Sequence, residues 1–376
     1  MAFPSLLAAA IGLFVIILTL WEGFETVVLP RSVTRPLRVS RQFYKITWPA
    51  WKAVGMRLPA GSGRQQFLGV YGPISLPLLL GLWAILLIVG FALLGWALDG
   101  QFNTPERRPG FGTALYASGV TFFTLGYGDV TPRTGLARFV AVTEAGVGFG
   151  FLALVIGYLP VLYQAFSRRE ATISRLDARA SSPATAAEML HRYSRAGTLD
   201  GLAAYLRDWE QWASEILESH LSYPVLTYYR SQHEHQSWLG ALLAIMDTCT
   251  LIIVGFKDAP PGSAELKWQA QMTYAMARHT IIDLAYVFNA RPRDPDPNRL
   301  PPDALARLRA RLAGAGLPLC DGAEDDAKLH KMRAMYEPYF CSLADFLAFP
   351  LPAWLSDEEP VDNWQTSAWD HSHPHF

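Results

Sequence analysis

The segment from Thr124 to Asp129 has residue types that could bind a bare cation through the backbone. Gly126 and Gly128 occupy alternate positions, and glycine adopts left-handed backbone angles without a clash at Cβ. Angles that alternate in hand let successive carbonyl groups point the same way, and rings of carbonyl oxygens can replace the water shell of an ion. The hydroxyl of Thr124 could add a further oxygen ligand. This segment is therefore a candidate site for a cation stripped of its water.

The surrounding stretches suit a loop held inside a membrane. A turn at residues 108–110 precedes a short run with helical character, Phe111 to Val120, and the loop follows it. Two long apolar stretches, Ile74 to Leu98 and Leu136 to Phe166, lie on either side. Each is longer than the roughly 20 apolar residues that a spanning helix needs. Non-helical backbone is tolerated at membrane depth where protein surrounds it, so the short helix and the loop are predicted to re-enter between two spanning helices.

The pattern Thr-x-Gly-Tyr-Gly-Asp at residues 124–129 resembles the selectivity filter of potassium channels. The resemblance implies a homotetramer, since one chain supplies one filter strand. It implies passive conduction of K⁺ as the permeant ion, with no cofactor and no resident metal. The residues it assigns to ion binding are Thr124, Leu125, Gly126, Tyr127 and Gly128, and those it assigns to filter support are Asp129 and Tyr116.

Four positions depart from the common pattern of that family. Leu125 stands where Val or Ile is usual, which is tolerable because the backbone carbonyl is the ligand. Phe123 replaces a second Thr, and Ala117 and Val120 replace an aromatic residue and, in some members, an acid behind the filter. The resemblance therefore predicts a weaker Asp129 anchor, which affects filter stability and inactivation more than selectivity.

A basic segment sets the predicted orientation. Residues 31–68 contain eight Lys and Arg residues and no acid, and positive loops stay on the cytoplasmic side. The N-terminus is then predicted outside and the C-terminal half in the cytoplasm, in a multi-pass protein of the cell (inner) membrane. Aromatic residues interleave with the charges, which indicates a helix on the inner leaflet that contacts anionic lipids. A voltage sensor is the alternative, and it is disfavoured because too few spanning helices precede the pore.

The first apolar stretch, Leu6 to Leu20, extends towards Pro30 past Glu22 and Glu25. We predict a retained spanning helix here. The alternative is a signal peptide, which would begin with basic residues, and none lies between Met1 and Ser5.

The last apolar stretch carries the residues most suited to gating. Gly146, Gly150 and Pro160 are predicted as the hinge and kink of a pore-lining helix, because helices bend at glycine and proline. Close helix packing by small residues is the alternative. Glu144 is an acid inside a predicted span, and such acids mark functional positions. It is predicted to face the back of the filter or the cavity, with a hydrogen bond to a neighbouring helix as an equal alternative.

Residues 167–376 carry charges throughout and show no convincing strand alternation, so we predict a soluble helical bundle. Two helical faces are predicted to be buried. The first consists of Leu202, Tyr205, Leu206, Trp209, Trp212, Ile216 and Leu217, and the second of Trp268, Met272, Ala275, Met276, His279, Ile282 and Tyr286. Trp238 to Phe256 is long enough to be a fourth span, but a buried helix of the bundle is favoured. The stretches Glu218 to Tyr229 and Tyr336 to Leu355 resemble helical C-terminal domains of bacterial channel proteins, which assigns no activity.

Several chemistries find no support in the pattern. The three cysteines, Cys249, Cys320 and Cys341, form no Cys-x-x-Cys pair, and no Gly-x-Gly-x-x-Gly motif indicates a nucleotide-binding regulatory domain. His233-Glu234-His235 and the tail residues His371, His373 and His375 could bind a metal, but a solvated loop and terminus are favoured, so no metal site is predicted. No nucleophile, paired-carboxylate or metal constellation supports an enzyme, and no nucleic-acid partner is expected.

The expected protein is an all-α membrane protein and a tetrameric pore-loop channel with three spanning helices per chain. Its predicted function is passive K⁺-selective conduction, gated by an unknown signal through the C-terminal domain, which could take an unknown ligand. The alternatives are a non-selective cation channel and a membrane-anchored sensor or scaffold with a vestigial pore. The predicted domains are an N-terminal transmembrane helix (1–30), a basic cytoplasmic or interfacial segment (31–73), a pore module (74–166) and a cytoplasmic helical domain (167–376).

Overall fold

The computed structural model describes residues 3–28, 38–98, 102–104, 110–231, 235–257 and 262–356. The fold is that of an all-α membrane protein, as predicted. The chain divides into two compact units, residues 1–164 and residues 165–376, called here the membrane unit and the C-terminal unit.

The elements that begin in the membrane unit are five helices and a two-stranded ribbon. In chain order they are α1 (Phe3–Gly23, continued by a π-helical turn at Phe24–Val28), α2 (Val39–Gly55), α3 (Ser62–Ala97), β1 (Phe102–Asn103), α4 (Phe111–Phe122), β2 (Thr131–Pro132) and α5 (Gly135–Ala180). The strands are antiparallel and pair Phe102 with Pro132 and Asn103 with Thr131. Three helical stretches are long and apolar enough to cross a membrane, Ser5–Thr26, Ser62–Ala97 and Gly135–Ala180, which agrees with the predicted number of spans.

Helix α3 begins at Ser62, twelve residues before the apolar stretch from Ile74 on which the span was predicted. Tertiary packing explains the longer helix. The ring of Trp51 in α2 stacks on Phe67 with centroids 4.7 Å apart, and its indole N–H donates to the carbonyl of Phe67 at 3.1 Å. Contacts of this kind stabilise the first turns of α3, whose sequence is too polar to be recognised as part of a span.

Helix α5 continues to Ala180, beyond the predicted end at Phe166. Its last turns are polar, so hydropathy alone marks the end of the apolar stretch and not the end of the helix. Gly146, Gly150 and Pro160 all lie inside the continuous helix. Their role as a hinge and kink therefore stays a prediction.

Close backbone approach joins α1 to α3. A Cβ added at Gly12 would lie 2.6 Å from the carbonyl oxygen of Gly90, so only glycine fits this crossing. At the other end of α1 the buried carboxylate of Glu22 accepts from the backbone N–H groups of Val39 (3.3 Å) and Ser40 (3.0 Å). Glu22 thus satisfies orphan donors at the start of α2, which accounts for an acid at the end of an apolar helix.

The C-terminal unit is helical after the last turns of α5. Its helices are α6 (Ala186–Arg195), α7 (Leu199–Ser222), a 3₁₀ turn (Pro224–Tyr228), α8 (Trp238–Val254), α9 (Ser263–Val287), α10 (Pro302–Gly314), α11 (Ala323–Ala334) and α12 (Glu337–Leu347). Every residue of α8 is buried inside this unit. The preference for a buried helix over a fourth span is confirmed.

The two predicted buried faces have opposite outcomes. All seven predicted residues of α7 are buried, as expected. The face predicted for α9 was wrong, because Trp268 and Tyr286 are 61% and 77% exposed. Small and hydroxyl side chains of α9 face α7 instead: the hydroxyl of Thr273 donates to the carbonyl of Leu206 (2.9 Å), and that of Thr280 to the carbonyl of Ala213 (3.0 Å). The large aromatic residues of α7 leave room only for small side chains opposite them.

Candidate functional site

The loop after α4 has backbone angles of alternating hand. Residues Thr124, Gly126 and Gly128 have φ values of +56°, +63° and +79°. The sequence predicted this geometry for the two glycines. It did not predict it for Thr124, since a β-branched residue rarely adopts a positive φ. The alternation is the backbone arrangement that turns successive carbonyl groups to one side of a strand.

The loop is tied to the short helix that precedes it. The N–H of Thr124 donates to the carbonyl of Thr121 at 3.0 Å, and the N–H of Leu125 donates to the carbonyl of Val120 at 2.9 Å. Beyond these bonds, residues 124–129 are exposed within one chain, with Tyr127 at 68%. The position of α4 therefore sets the position of the first residues of the loop.

The two residues predicted to support the loop contact each other. The phenolic O–H of Tyr116 donates to Oδ2 of Asp129 at 2.8 Å. This bond joins the middle of α4 to the end of the loop, across the segment that carries the alternating angles. Of the positions that depart from the potassium-channel pattern, Ala117 is buried and Phe123 is 57% exposed.

Glu144 of α5 lies against α4, which fits the alternative of a bond to a neighbouring helix. Its side chain is buried, and its Oε1 is hydrogen bonded to the hydroxyl of Ser118. The same hydroxyl lies 2.8 Å from the carbonyl oxygen of Ile88 in α3. One serine therefore connects α3, α4 and α5. Ser118 was missed at the sequence level; the signal that could have found it is a polar residue on an otherwise apolar short helix.

The glycines of α5 differ in their surroundings. A Cβ added at Gly148 would lie 2.0 Å from the carbonyl oxygen of Phe122, the last residue of α4. A Cβ added at Gly146 or Gly150 would meet nothing within 4 Å in the same chain. The close approach of α5 to α4 thus depends on Gly148, which the sequence did not distinguish from its neighbours. Pro160 lies further along α5, outside this contact.

A buried arginine joins the last turns of α5 to α7 and the 3₁₀ turn. Arg169 donates to the carbonyls of Leu226 (2.9 Å) and Tyr229 (2.8 Å), and its Nη1 lies 3.3 Å from Nε2 of His220. Nδ1 of His220 lies 2.9 Å from the carbonyl of Ile216, so Nδ1 donates and Nε2 accepts from Arg169. Burial and the nearby guanidinium hold the pKa of His220 well below its usual range.

A cluster of charges lies in the core of the C-terminal unit. Arg299 donates to Asp247 (2.7 Å) and to Glu337 (2.8 Å), and Arg333 lies 3.0 Å from Glu337. The O–H of Tyr336 donates to Asp247 at 2.6 Å. The acids and the guanidinium groups neutralise one another, so this cluster is a structural feature of the bundle.

The metal-binding alternatives fall mostly outside the described residues. This holds for His233 and Glu234 and for the tail residues His371, His373 and His375, while His235 is described and exposed. Among the residues that the structure describes, no group of three or more His, Cys, Asp or Glu side chains could hold a metal ion.

Comparison with known proteins adds a family match around the loop. Residues 78–164 match a family model described as "Ion channel". The chain is 23% identical over 253 residues to the uncharacterized membrane protein YdjJ of Bacillus subtilis, covering 66% of this chain and 72% of that protein. It is 33% and 32% identical over 84 residues to the LctB proteins of Bacillus caldotenax and Geobacillus stearothermophilus, covering 20% of this chain and 62% of each relative. No solved structure matches the chain.

The family match falls on the elements that form the site. It begins within α3, includes α4 and the alternating loop, and ends within α5. The matches to the LctB proteins are of similar length, whereas the match to YdjJ reaches over most of the chain. The chain is therefore a membrane protein whose residues 78–164, called here the ion-channel region, match a family model described as "Ion channel".

Proposed function

We propose that this protein is a passive K⁺-selective channel in which four copies of the chain surround one pore. The observation that carries the proposal is the alternation of positive φ values at Thr124, Gly126 and Gly128 inside the region that matches the ion-channel model. Carbonyl groups turned to one side of four such strands would form stacked rings of oxygens. Rings of this kind replace the hydration shell of K⁺.

The exposure of the site in one chain supports the assembly of several copies. The Thr-Leu-Gly-Tyr-Gly strand is exposed, and Tyr127, the residue expected to brace the filter, is 68% exposed. Helix α5 is also exposed within one chain over much of its apolar length. Phe139, Phe149 and Ile156 are each more than 60% exposed. Neighbouring copies would cover part of this surface, and lipid would cover the rest.

The proposed topology follows from the basic segment. Eight Lys and Arg residues between α1 and the apolar part of α3 support a cytoplasmic position for that segment. The protein would lie in the cell (inner) membrane. Its N-terminus would lie outside, its filter would open outward, and its C-terminal unit would lie in the cytoplasm. Anionic lipids are the proposed partners of the basic segment. We propose no cofactor and no enzymatic activity.

Gating is proposed to act through the C-terminal unit. Helix α5 runs without a break from the ion-channel region to Ala180, and the Arg169 contacts fix its last turns within that unit. A signal that rearranges those turns would bias the proposed pore-lining helix.

The test is ion uptake into liposomes that contain the purified protein, with K⁺ and Na⁺ compared and Ba²⁺ as the blocker. We expect K⁺ uptake to exceed Na⁺ uptake and to be blocked by Ba²⁺. The variant Gly126→Ala should lose K⁺ uptake, because φ of +63° strains any residue with a Cβ. Gly81→Ala is the matched control, since Gly81 is a helical glycine with no neighbouring atom within 4 Å of an added Cβ.

Other results would favour the alternatives. Uptake of both ions at similar rates would indicate a non-selective cation channel. Wild-type K⁺ uptake in Gly126→Ala would contradict the assignment of the filter. Absence of uptake would require the assay to be repeated after removal of the C-terminal unit, and continued absence would favour a sensor or scaffold with a vestigial pore.

A further inference from the structure

The further inference concerns the hydroxyl of Ser118, which connects three helices in the ion-channel region. It is hydrogen bonded to the buried carboxyl group of Glu144 in α5 and lies 2.8 Å from the carbonyl oxygen of Ile88 in α3. Among the residues that the structure describes, no cationic side chain interacts with Glu144. The acid is therefore buried in a spanning helix with a serine as its polar contact.

Hydrogen counting links the donors of these two contacts. A hydroxyl has one hydrogen, and the carbonyl of Ile88 can only accept. If the hydrogen of Ser118 goes to Ile88, then the contact with Glu144 needs a hydrogen from the carboxyl group. An ionised carboxylate has none to give, whereas a neutral carboxylic acid has one. An unpaired carboxylate at this depth would also be costly.

We propose that Glu144 is a neutral carboxylic acid that donates to Ser118, while Ser118 donates to the carbonyl of Ile88. The resulting chain of two hydrogen bonds runs from α5 through α4 to α3. Glu144 is then a positioning residue for the filter, acting through α4 and not through contact with the ion. This proposal rests on the proposed function for its effect on conduction, whereas the protonation of Glu144 is argued from its burial and its hydrogen bonds.

A second contact, one turn further along both helices, supports this role. Gly148 lies four residues after Glu144, and Phe122 lies four residues after Ser118, so each pair shares a helix face. Gly148 lets α5 approach the carbonyl of Phe122, where an added Cβ would come within 2.0 Å. The hydrogen bond and the close approach together fix the rotation and the height of α4. Helix α4 ends at Phe122, two residues before the first ligand of the proposed filter.

The matched variants are Glu144→Gln and Glu144→Leu. Glutamine carries no charge and keeps an N–H donor for Ser118, whereas leucine keeps the approximate volume and has no donor. We expect Glu144→Gln to retain the ratio of K⁺ to Na⁺ uptake in the liposome assay and Glu144→Leu to lower it. Ser118→Ala should lower the ratio as Glu144→Leu does. The double variant Ser118→Ala/Glu144→Leu should lower the ratio no further than either single variant, since both substitutions break the same pair of hydrogen bonds.

Two results would overturn the positioning role. Equal loss of selectivity in Glu144→Gln and Glu144→Leu would show that the charge, and not the donor, is needed. Unchanged selectivity in both Glu144→Leu and Ser118→Ala would show that the chain does not position the filter. The serine variant keeps the test decisive if Glu144→Leu does not fold.

Infrared spectroscopy tests the protonation state without any conduction. The difference spectrum of wild type minus Glu144→Gln should contain the carbonyl stretch of a protonated carboxylic acid. Carboxylate bands in its place would overturn the neutral acid. This readout needs no K⁺ selectivity. A wild-type protein that fails to select K⁺ would contradict the proposed function, whereas the infrared spectrum would still test the protonation state of Glu144.

Discussion

Two apolar helices of this protein have very different surroundings. In α8 of the C-terminal unit every residue is buried, and Trp238 is 0% exposed. In the apolar part of α5, Phe139 and Phe149 are 68% and 69% exposed within one chain. Apolar composition alone therefore does not define a helix's environment. Helix α8 is covered by its own bundle, whereas α5 has a surface that lipid or other copies of the chain must cover.

The same contrast holds for polar groups. The C-terminal unit pairs its buried acids with guanidinium groups, as Arg299 does with Asp247 and Glu337. The ion-channel region has one buried acid in a span, Glu144, and its contact is a serine hydroxyl. Charge pairs are used where the chain can surround them, and a neutral hydrogen-bond chain is proposed where it cannot.

Breaking the charge cluster around Arg299 should destabilise the protein most. Asp247→Ala removes one acid from Arg299 and the acceptor of Tyr336, and it leaves a buried cation with one carboxylate partner fewer. We expect the free energy of unfolding of the C-terminal unit to fall by about 3–5 kcal/mol. Denaturant unfolding of the full chain, followed by circular dichroism, measures this change.

The control for this prediction is Asp321→Asn. Asp321 also forms an ion pair, with Lys257 at 2.7 Å, but both side chains are about half exposed. Exposed pairs contribute little, so the unfolding midpoint should hardly change. Equal shifts in Asp247→Ala and Asp321→Asn would contradict the view that the buried cluster stabilises this unit.

A smaller effect is expected where α5 approaches α4. Gly148→Ala places a Cβ within 2.0 Å of the carbonyl of Phe122, so the helices must separate. Overpacking of this kind costs about 1–3 kcal/mol, and it should lower the thermal stability of the membrane unit and reduce K⁺ uptake. Gly157→Ala is the control, because Gly157 is also in α5 and its Cβ would meet no atom of the same chain within 4 Å. Full K⁺ uptake in Gly148→Ala would show that this contact does not position the pore helix. Loss in Gly146→Ala with unchanged stability would instead support a hinge at that residue.

The backbone of the loop was predictable because its chemistry is local. Alternate glycines permit alternate left-handed angles, and the structure has them at Gly126 and Gly128. The positive φ at Thr124 was not predictable, since the surrounding structure imposes it against the preference of a β-branched residue. The order of spanning helix, short helix, loop and spanning helix was also predictable, because each is set by length and hydropathy.

Contacts between distant residues were not predictable in this way. Ser118 and Glu144 are 26 positions apart, and their polarity alone does not say that they meet. The buried face of α9 was assigned to Trp268 and Tyr286 because large apolar residues usually point inward. The structure buries Thr273 and Thr280 instead, because the bulky residues belong to α7 and the partner helix must be small there. Which of two faces is buried depends on the neighbouring helix, and that information is not local.

The smallest expected effect is a loss of stability in acid at His220. Its folded pKa is lowered by burial and by Arg169, so the neutral ring contributes stability that is present above the unfolded pKa and is lost as the pH falls through the lower folded value. Protonation would place Nε2–H against the guanidinium of Arg169, beside Glu170 and the ring of Trp238. The thermal midpoint of the full chain should therefore decrease as the pH is lowered from about 7 to about 5.

The variant His220→Gln should reduce this acid sensitivity, because an amide can accept from Arg169 and donate to the carbonyl of Ile216 without taking up a proton. His279→Gln is the matched control, since His279 of α9 is 61% exposed. The same acid loss in wild type and in His220→Gln would assign the effect to another group. If the loss is specific to His220 and K⁺ uptake changes over the same pH range, then the contact of Arg169 with His220 also influences the proposed pore.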